Sequence, residues 1–359
     1  MPTINHRTGN TIKIILTCSA ILLGLGSCSN GGGGGTFTRS TGKPGEVMLA
    51  INKKHLNDQT GKKIQNMLVE PAIGLPQNEA SMRVSRVNLE SFDSFLRYVR
   101  NVLLVDVDPE RFTTTSLKYS YDEWSKGQIV IRINSVSPDS LNAYIDRNKE
   151  GIMNRFINHE LFLFGEVLEK SYSGSADRNA DSIFNHRINA PGDIVGWKFG
   201  KDFLWMSNSL PRKRHDLLIY TYPYTGQGSL GIDRMTEMRD SVLRENIQGA
   251  YEDSYPTTQR EYSLYHRYVT MHDGTVRGEL RGLWHMHGKA RMGGPFVSQA
   301  YANKEEGKVY VVEGFVYNPN DDLLTLLRMM ESMLYTFRPG TEKKFDPENI
   351  LKCKYTRMN

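Results

Sequence analysis

Cysteine is scarce in this 359-residue chain, limited to Cys18, Cys28 and Cys353. No acidic side chain precedes Glu46, and no apolar run approaches the roughly 20 residues that a membrane-spanning helix needs. A Walker loop, a dinucleotide fingerprint and a G-x-S-x-G elbow are also missing, so no motif calls for a cofactor or metal. Charge of one sign is missing too. Taking Arg7 and Lys13 from the 45 basic residues leaves a balance of about +3 against 40 acids, too even for a nucleic-acid partner.

What is present first is an address. His6, Arg7 and Lys13 give a positive start, and Ile14 to Leu25 is an apolar run of the length of a signal peptide. Leu25-Gly26-Ser27-Cys28 then matches a lipobox, which places cleavage before Cys28 and lipid on its thiol. Residues 1–27 are thus expected to be signal peptide and 28–45, with the glycines 31 to 35, a flexible tether. Ser29 in place of an acid favours the outer membrane, and the lack of an acidic run after Cys28 favours its periplasmic face. With Cys18 removed and Cys28 acylated, Cys353 stands alone, so no intramolecular disulfide can form and the fold rests on its core.

The body is expected to be α+β, in two halves at 46–189 and 190–338, with a polar tail at 339–359. Glu46 to Ile51, Val102 to Val107 and Ile129 to Ile133 read as strands, and Thr60 to Val69 as a helix. Phe92, Phe95, Leu96 and Val99 recur at helical spacing. Ser137-Pro138 opens a long helix with the stripe Leu141, Tyr144, Ile145, Ile152, Phe156 and Leu163. Polar Ser171 to Asn189 reads as a hinge or short helix. In the second half, Phe203 to Met206 and Leu217 to Tyr222 are strands and Ile232 to Ile247 a helix. Tyr262 to Met271 and Thr275 to Trp284 form a hairpin through Asp273-Gly274, and Phe296 to Tyr301 pairs with Val309 to Tyr317. A last helix from about Asp321 carries Leu323, Leu327, Met330, Leu334 and Phe337 onto that meander. As an analogy of element order alone, this resembles the Mog1/PsbP-like fold.

Five strings carry a family resemblance: Gly42-Lys43-Pro44-Gly45-Glu46-Val47, Ile219-Tyr220-Thr221-Tyr222-Pro223-Tyr224, Glu279-Leu280-Arg281-Gly282-Leu283-Trp284, Met292-Gly293-Gly294-Pro295-Phe296-Val297-Ser298 and Glu313-Gly314-Phe315-Val316-Tyr317. Together they resemble domain-of-unknown-function family 4837, lipoproteins of Bacteroidota bacteria. The resemblance spans about Gly42 to Phe337 and implies an anchored envelope protein, but no activity.

Chemistry is thinly marked. His285 and His287 would share a strand face at metal-ligand spacing, but no third ligand is fixed and the glycines nearby suggest a polar loop. His159-Glu160 lacks the second histidine of a zinc protease and reads as a helix-surface pair. Ser40 to Lys43 has S-x-x-K spacing in what should be a flexible linker. Tyr220, Tyr222 and Tyr224 alternate onto one strand face, and Arg277, Glu279 and Arg281 onto another. Exposed, these aromatics and arginines would anchor a partner; covered, they would be half-buried rings and a charge ladder. Ser140, Ser182 and Ser241 each sit in an Asp-Ser-apolar triplet that resembles an O-glycosylation acceptor. The leading expectation is a non-catalytic envelope protein, attached through lipid on Cys28, that binds another envelope component in outer-membrane assembly or maintenance. A small-ligand binder with a pocket between the halves is the alternative, and a hydrolase comes third. A pocket with convergent polar groups would favour the last two, and a flat exposed patch the first.

Overall fold

The computed structural model describes residues 38–93, 95–319 and 321–357, and Phe37–Asn359 form one compact unit. Cys28 and the expected signal peptide lie outside the described residues. The end of the expected tether is not free, because its backbone is paired. Ser40 N–H donates to Lys126 O at 2.9 Å and Thr41 N–H to Tyr98 O at 2.7 Å, which fixes the chain from residue 38 onward.

The first part contains β1 (Glu46–Ile51), α1 (Gln59–Leu68), β2 (Arg83–Asn88), β3 (Asn101–Val107), β4 (Ser116–Tyr121), β5 (Ile129–Ser135) and α2 (Pro138–Lys170). The strands form a sheet in the order β2-β1-β3-β5-β4. Its pairs are parallel except β4, which runs antiparallel at the edge. Asp58 caps α1 by accepting from Gly61 N–H at 2.9 Å, and Ser137 caps α2 with proline at the first turn. Val47, Leu49, Leu103, Val105, Ile131 and Ile133 pack under Ile64, Leu68, Leu141, Ile145 and Phe156 of the two helices. The opposite sheet face is covered by Phe92 and Trp124. No helix forms over 92–99. Two short 3-10 turns, Leu89–Ser91 and Leu96–Tyr98, take its place, and Phe95 is 82% exposed.

The second part runs α3 (Gly174–Phe184), β6 (His186–Arg187), β7 (Gly196–Gly200), β8 (Phe203–Ser207), β9 (Arg214–Pro223), α4 (Ile232–Asn246), β10 (Pro256–Thr258), β11 (Tyr265–Thr270), β12 (Val276–Met286), β13 (Gly293–Asn303), β14 (Lys308–Tyr317), α5 (Leu324–Tyr335), β15 (Arg338–Pro339), α6 (Glu348–Leu351) and β16 (Lys354–Thr356). The expected meander β11-β12-β13-β14 is the middle of a nine-stranded sheet, order β16-β11-β12-β13-β14-β9-β8-β7 with β10 beside β12. Both its faces are covered. Leu327, Met330, Leu334 and Phe337 pack with α3 on one face, and Met235 and Leu243 of α4 on the other. The α+β class, the meander and its terminal helix are as expected. The helix comes close because Gly314 of β14 has no side chain: a Cβ there would sit 2.7 Å from that of Met330.

Residues 339–357 correct the expectation of a polar tail. Phe345, Ile350 and Cys353 are buried with Leu161, Val269 and Tyr335, and β16 pairs with β11. Three apolar side chains spread over nine positions leave no periodic stripe, so only the packing reveals them. The 33-residue α2 is the element shared by both parts. Its first half lies on the parallel sheet, while Leu161 O accepts from Ser332 Oγ of α5 at 2.7 Å and Gly165 meets Ile350.

Candidate functional site

A cavity of about 320 Å³ opens where α2, α5, β11, β12, β16 and the loop after α1 meet. That size is at the small end of ligand cavities, which run about 300–1,000 Å³. The loop over residues 69–80 closes one side. Its Gly74 adopts φ +82° and lies so near Arg281 that a Cβ would be 3.3 Å from that of the arginine. Glu79 of the same loop accepts from the N–H groups of Leu323 and Leu324 at 2.8 and 2.9 Å, which ties the loop to the start of α5.

Arg267, Arg281, Arg328 and Glu331 line the cavity, and each is more than nine-tenths buried. Glu279 lies behind them, fully buried. Its Oε1 accepts from Arg267 Nε at 2.7 Å and Arg281 Nε at 2.8 Å. Arg281 also forms a two-pronged pair with Glu331, one prong at 3.1 Å, and Arg267 stands 3.7 Å from the same carboxylate. Burial alone would push the Glu279 carboxyl up, but the two guanidinium groups beside it override this and hold it well below the usual carboxylate range. Arg267 stacks 3.8 Å over the ring of Tyr355. At the mouth, Lys149 pairs with Glu70 at 3.5 Å and Arg357 with Glu150 at 3.2 Å.

Arg328 differs from these cations. One hydrogen bond, from Nη2 to Ser81 O at 2.7 Å, is its only one among the described residues, and no carboxylate there lies within 4.0 Å. Burial pushes its pKa down, and Glu160 and Glu331 only partly offset that. Pro71, Ile73, Met153, Ile157, Leu324 and Leu327 supply apolar wall.

Arg281, a candidate partner anchor if exposed, lies in this cavity instead. Arg277 is buried nearby and donates to Leu334 O at 2.9 Å and Phe337 O at 2.8 Å, closing the C-terminal end of α5. Tyr220 and Tyr222 are buried on the other face of the sheet under α4, where Tyr222 Oη donates to Ser229 O at 2.6 Å; Tyr224 is half-buried. The five residues therefore do not form one surface. The two strands lie in a sheet covered on both faces, so alternation brings the side chains of their middle stretches under a helix or loop on either side.

His159 and Glu160 are likewise interior and not a surface pair. Glu160 accepts from Asn101 Nδ2 at 2.6 Å and faces Arg100 at 3.1 Å. His159, pushed down to about 3 by burial and then by Arg100, stays neutral against Tyr121. His287 is exposed and stacks on Tyr255, and among the described residues no group of three or more His, Cys, Asp or Glu could hold a metal. Ser140, Ser182 and Ser241 all lie on helices. Ser182 is exposed, whereas Ser140 accepts from Ser137 Oγ and Ser241 donates to Glu245.

Arg267, Arg328, Glu331 and Tyr355 escaped the sequence analysis. A signal existed for two of them. In α5 the only charged residues are Arg328 and Glu331, so a helix apolar on nearly every side had to bury both.

Comparison with known proteins adds distant structural likeness and matches to two family models. A solved structure of a point mutant of protein Mog1 is similar over 43% of this chain and 90% of that chain, at 8% identity and a TM-score of 0.29. No curated protein matches. Residues 40–169, from the segment before β1 to the end of α2, match the model of the domain of unknown function DUF8532. Residues 173–336, from α3 to the end of α5, match that of the domain of unknown function DUF4837.

Proposed function

We propose that this chain is a lipid-anchored protein of the cell envelope, held at the outer membrane through Cys28, whose body receives a small ligand between its two parts. The cavity carries the proposal. Three buried arginines converge there on two buried carboxylates, beside an apolar wall, at the junction of two separately matched families. Burying charge at a seam is costly and contributes little stability compared with apolar packing, so the arrangement is better explained by use than by folding. Native mass spectrometry of protein gently extracted from its own membrane tests this. A bound small molecule is expected on the native chain and not on Ala72→Trp, which fills the cavity from the loop side. Bare protein in both samples, with no small molecule raising the melting temperature, would refute it.

Docking to an envelope protein is favoured by a different feature. Val195, Trp197 and Phe199 alternate onto one face at the free edge of β7 and are 64%, 49% and 51% exposed. An open apolar edge is a template for an added strand. Photo-crosslinking from position 197 in cells should then capture a protein partner. Either Trp197→Lys or Phe199→Lys should release that partner without unfolding the chain.

A further inference from the structure

We infer that the cavity is built for an amphiphile with an anionic head, carboxylate or phosphate, seated on Arg328. This rests on the ligand-binding proposal above. Every other cation around the cavity has its counter-charge: Lys149 has Glu70, Arg357 has Glu150, and Arg267 and Arg281 share Glu279 and Glu331. Arg328 is 4% exposed, with one carbonyl as its hydrogen-bonded partner. A guanidinium offers five N–H donors, so most of its capacity is left to face the cavity that it lines.

The carboxylates on its far side are already engaged. A smaller cavity of about 230 Å³ there contains Glu79 and Asp322. Glu79 accepts from two amides of α5, and Asp322 stands 3.7 Å from Arg83. Counted with the neighbouring pair of Arg100 and Glu160, Arg100, Arg267, Arg281 and Arg328 face Glu160, Glu279 and Glu331, leaving one positive charge over. An anion of the planar, two-oxygen kind that a guanidinium binds in a fork would balance it. Next to that seat, Leu324, Leu327, Met153 and Ile157 offer nothing to a second polar group but would cover a short hydrocarbon chain. The ligand class is therefore an acid with an apolar body, and the volume restricts it to a small one.

Calorimetric titration of the full folded body with octanoate, octyl phosphate and octanol separates the components. Either acid should bind at least about tenfold more tightly than the alcohol, the scale of one charge-assisted hydrogen-bond set. Which acid wins identifies the head. Arg328→Met should abolish the preference, and Arg328→Lys should keep part of it; Arg234→Met on α4, outside the cavity, should change nothing. If Arg328→Met does not fold, the acid-to-alcohol ratio on the native chain and its decline with added salt still decide the matter. Octanol binding as tightly as octanoate would overturn the anionic head and leave the ligand cavity standing. No binding by any probe, together with no co-purifying molecule, would overturn both.

Discussion

Reversing the charge of Arg281 is the sharpest test of how the interior is wired. As an exposed anchor, Arg281→Glu would alter stability by no more than about 0.5 kcal/mol. The structure places it in contact with Glu279 at 2.8 Å and in a two-pronged pair with Glu331. Removing one partner from a buried pair costs about 3–5 kcal/mol, because the remaining charge is stranded. Here Glu331 loses its two-pronged partner, Glu279 keeps Arg267 alone and a third carboxylate is added, so part of the cluster must take up protons at neutral pH. A loss of about 5 kcal/mol or more is expected, against a total of roughly 5–15 kcal/mol for an ordinary domain. Urea denaturation followed by circular dichroism at pH 7 measures it. Arg281→Met, which takes the same partner from Glu331 and Glu279 without adding a third carboxylate, should lose about 3–5 kcal/mol. Tyr222→Phe, which removes only the bond to Ser229, should lose about 1 kcal/mol. A midpoint for Arg281→Glu indistinguishable from that of the native chain would refute the buried cluster outright.

Three further outcomes are expected. Ending the chain after Arg338 should remove roughly 3–6 kcal/mol, since Phe345 and Ile350 are each worth about 1.5–3 kcal/mol in burial alone; an unchanged thermal midpoint would mean the segment does not pack as described. His159 titrates near 3 when folded and near 6.5 when unfolded, so below 6.5 the unfolded state takes up the proton first and stability falls with pH, by up to about 1.4 kcal/mol per pH unit. His159→Phe should flatten the dependence between pH 6.5 and 4.5, above the range where carboxylates dominate; an unchanged slope would assign the proton elsewhere. Cys28→Ala should move the chain from the membrane to the soluble fraction after a high-salt wash, and full retention would reveal another anchor.

Much of the fold was legible because its signals are local. Ser137-Pro138, the Asp273-Gly274 turn and the alternation of β12 to β14 each act within a few residues, and the corresponding elements form where expected. The elements that escaped are those made by tertiary pairing. β2 is a largely exposed edge strand with no apolar alternation, and β4 is another, whose alternating Leu117, Tyr119 and Tyr121 are too short a signal beside polar neighbours. β7 and β16 are edges held by a neighbour. Residues 92–99 show the opposite failure, since helical spacing there yielded to the covering of a sheet face by Phe92. The site was half legible. Arg281 was singled out as an anchor if exposed and is buried, because period-two alternation assigns a face but does not say whether a helix will cover it. Arg328 could be read only by asking why a nearly all-apolar helix carries charge.

The segment 339–357 also fixes the order in which this protein can become itself. Tyr355 donates to Asn158 of α2 and meets Tyr335 of α5, so one late-synthesised ring touches helices from both parts. Until it arrives, β11 lacks its outer neighbour, Leu161 and Tyr335 lack Ile350, and Arg267 lacks the ring on which it stacks. The other eight strands of that sheet and α2 can therefore form early, yet the seam between them stays unsealed until the last turn of chain is in place. The cavity, which Tyr355 and Arg357 line, comes into being in the same step that completes the fold.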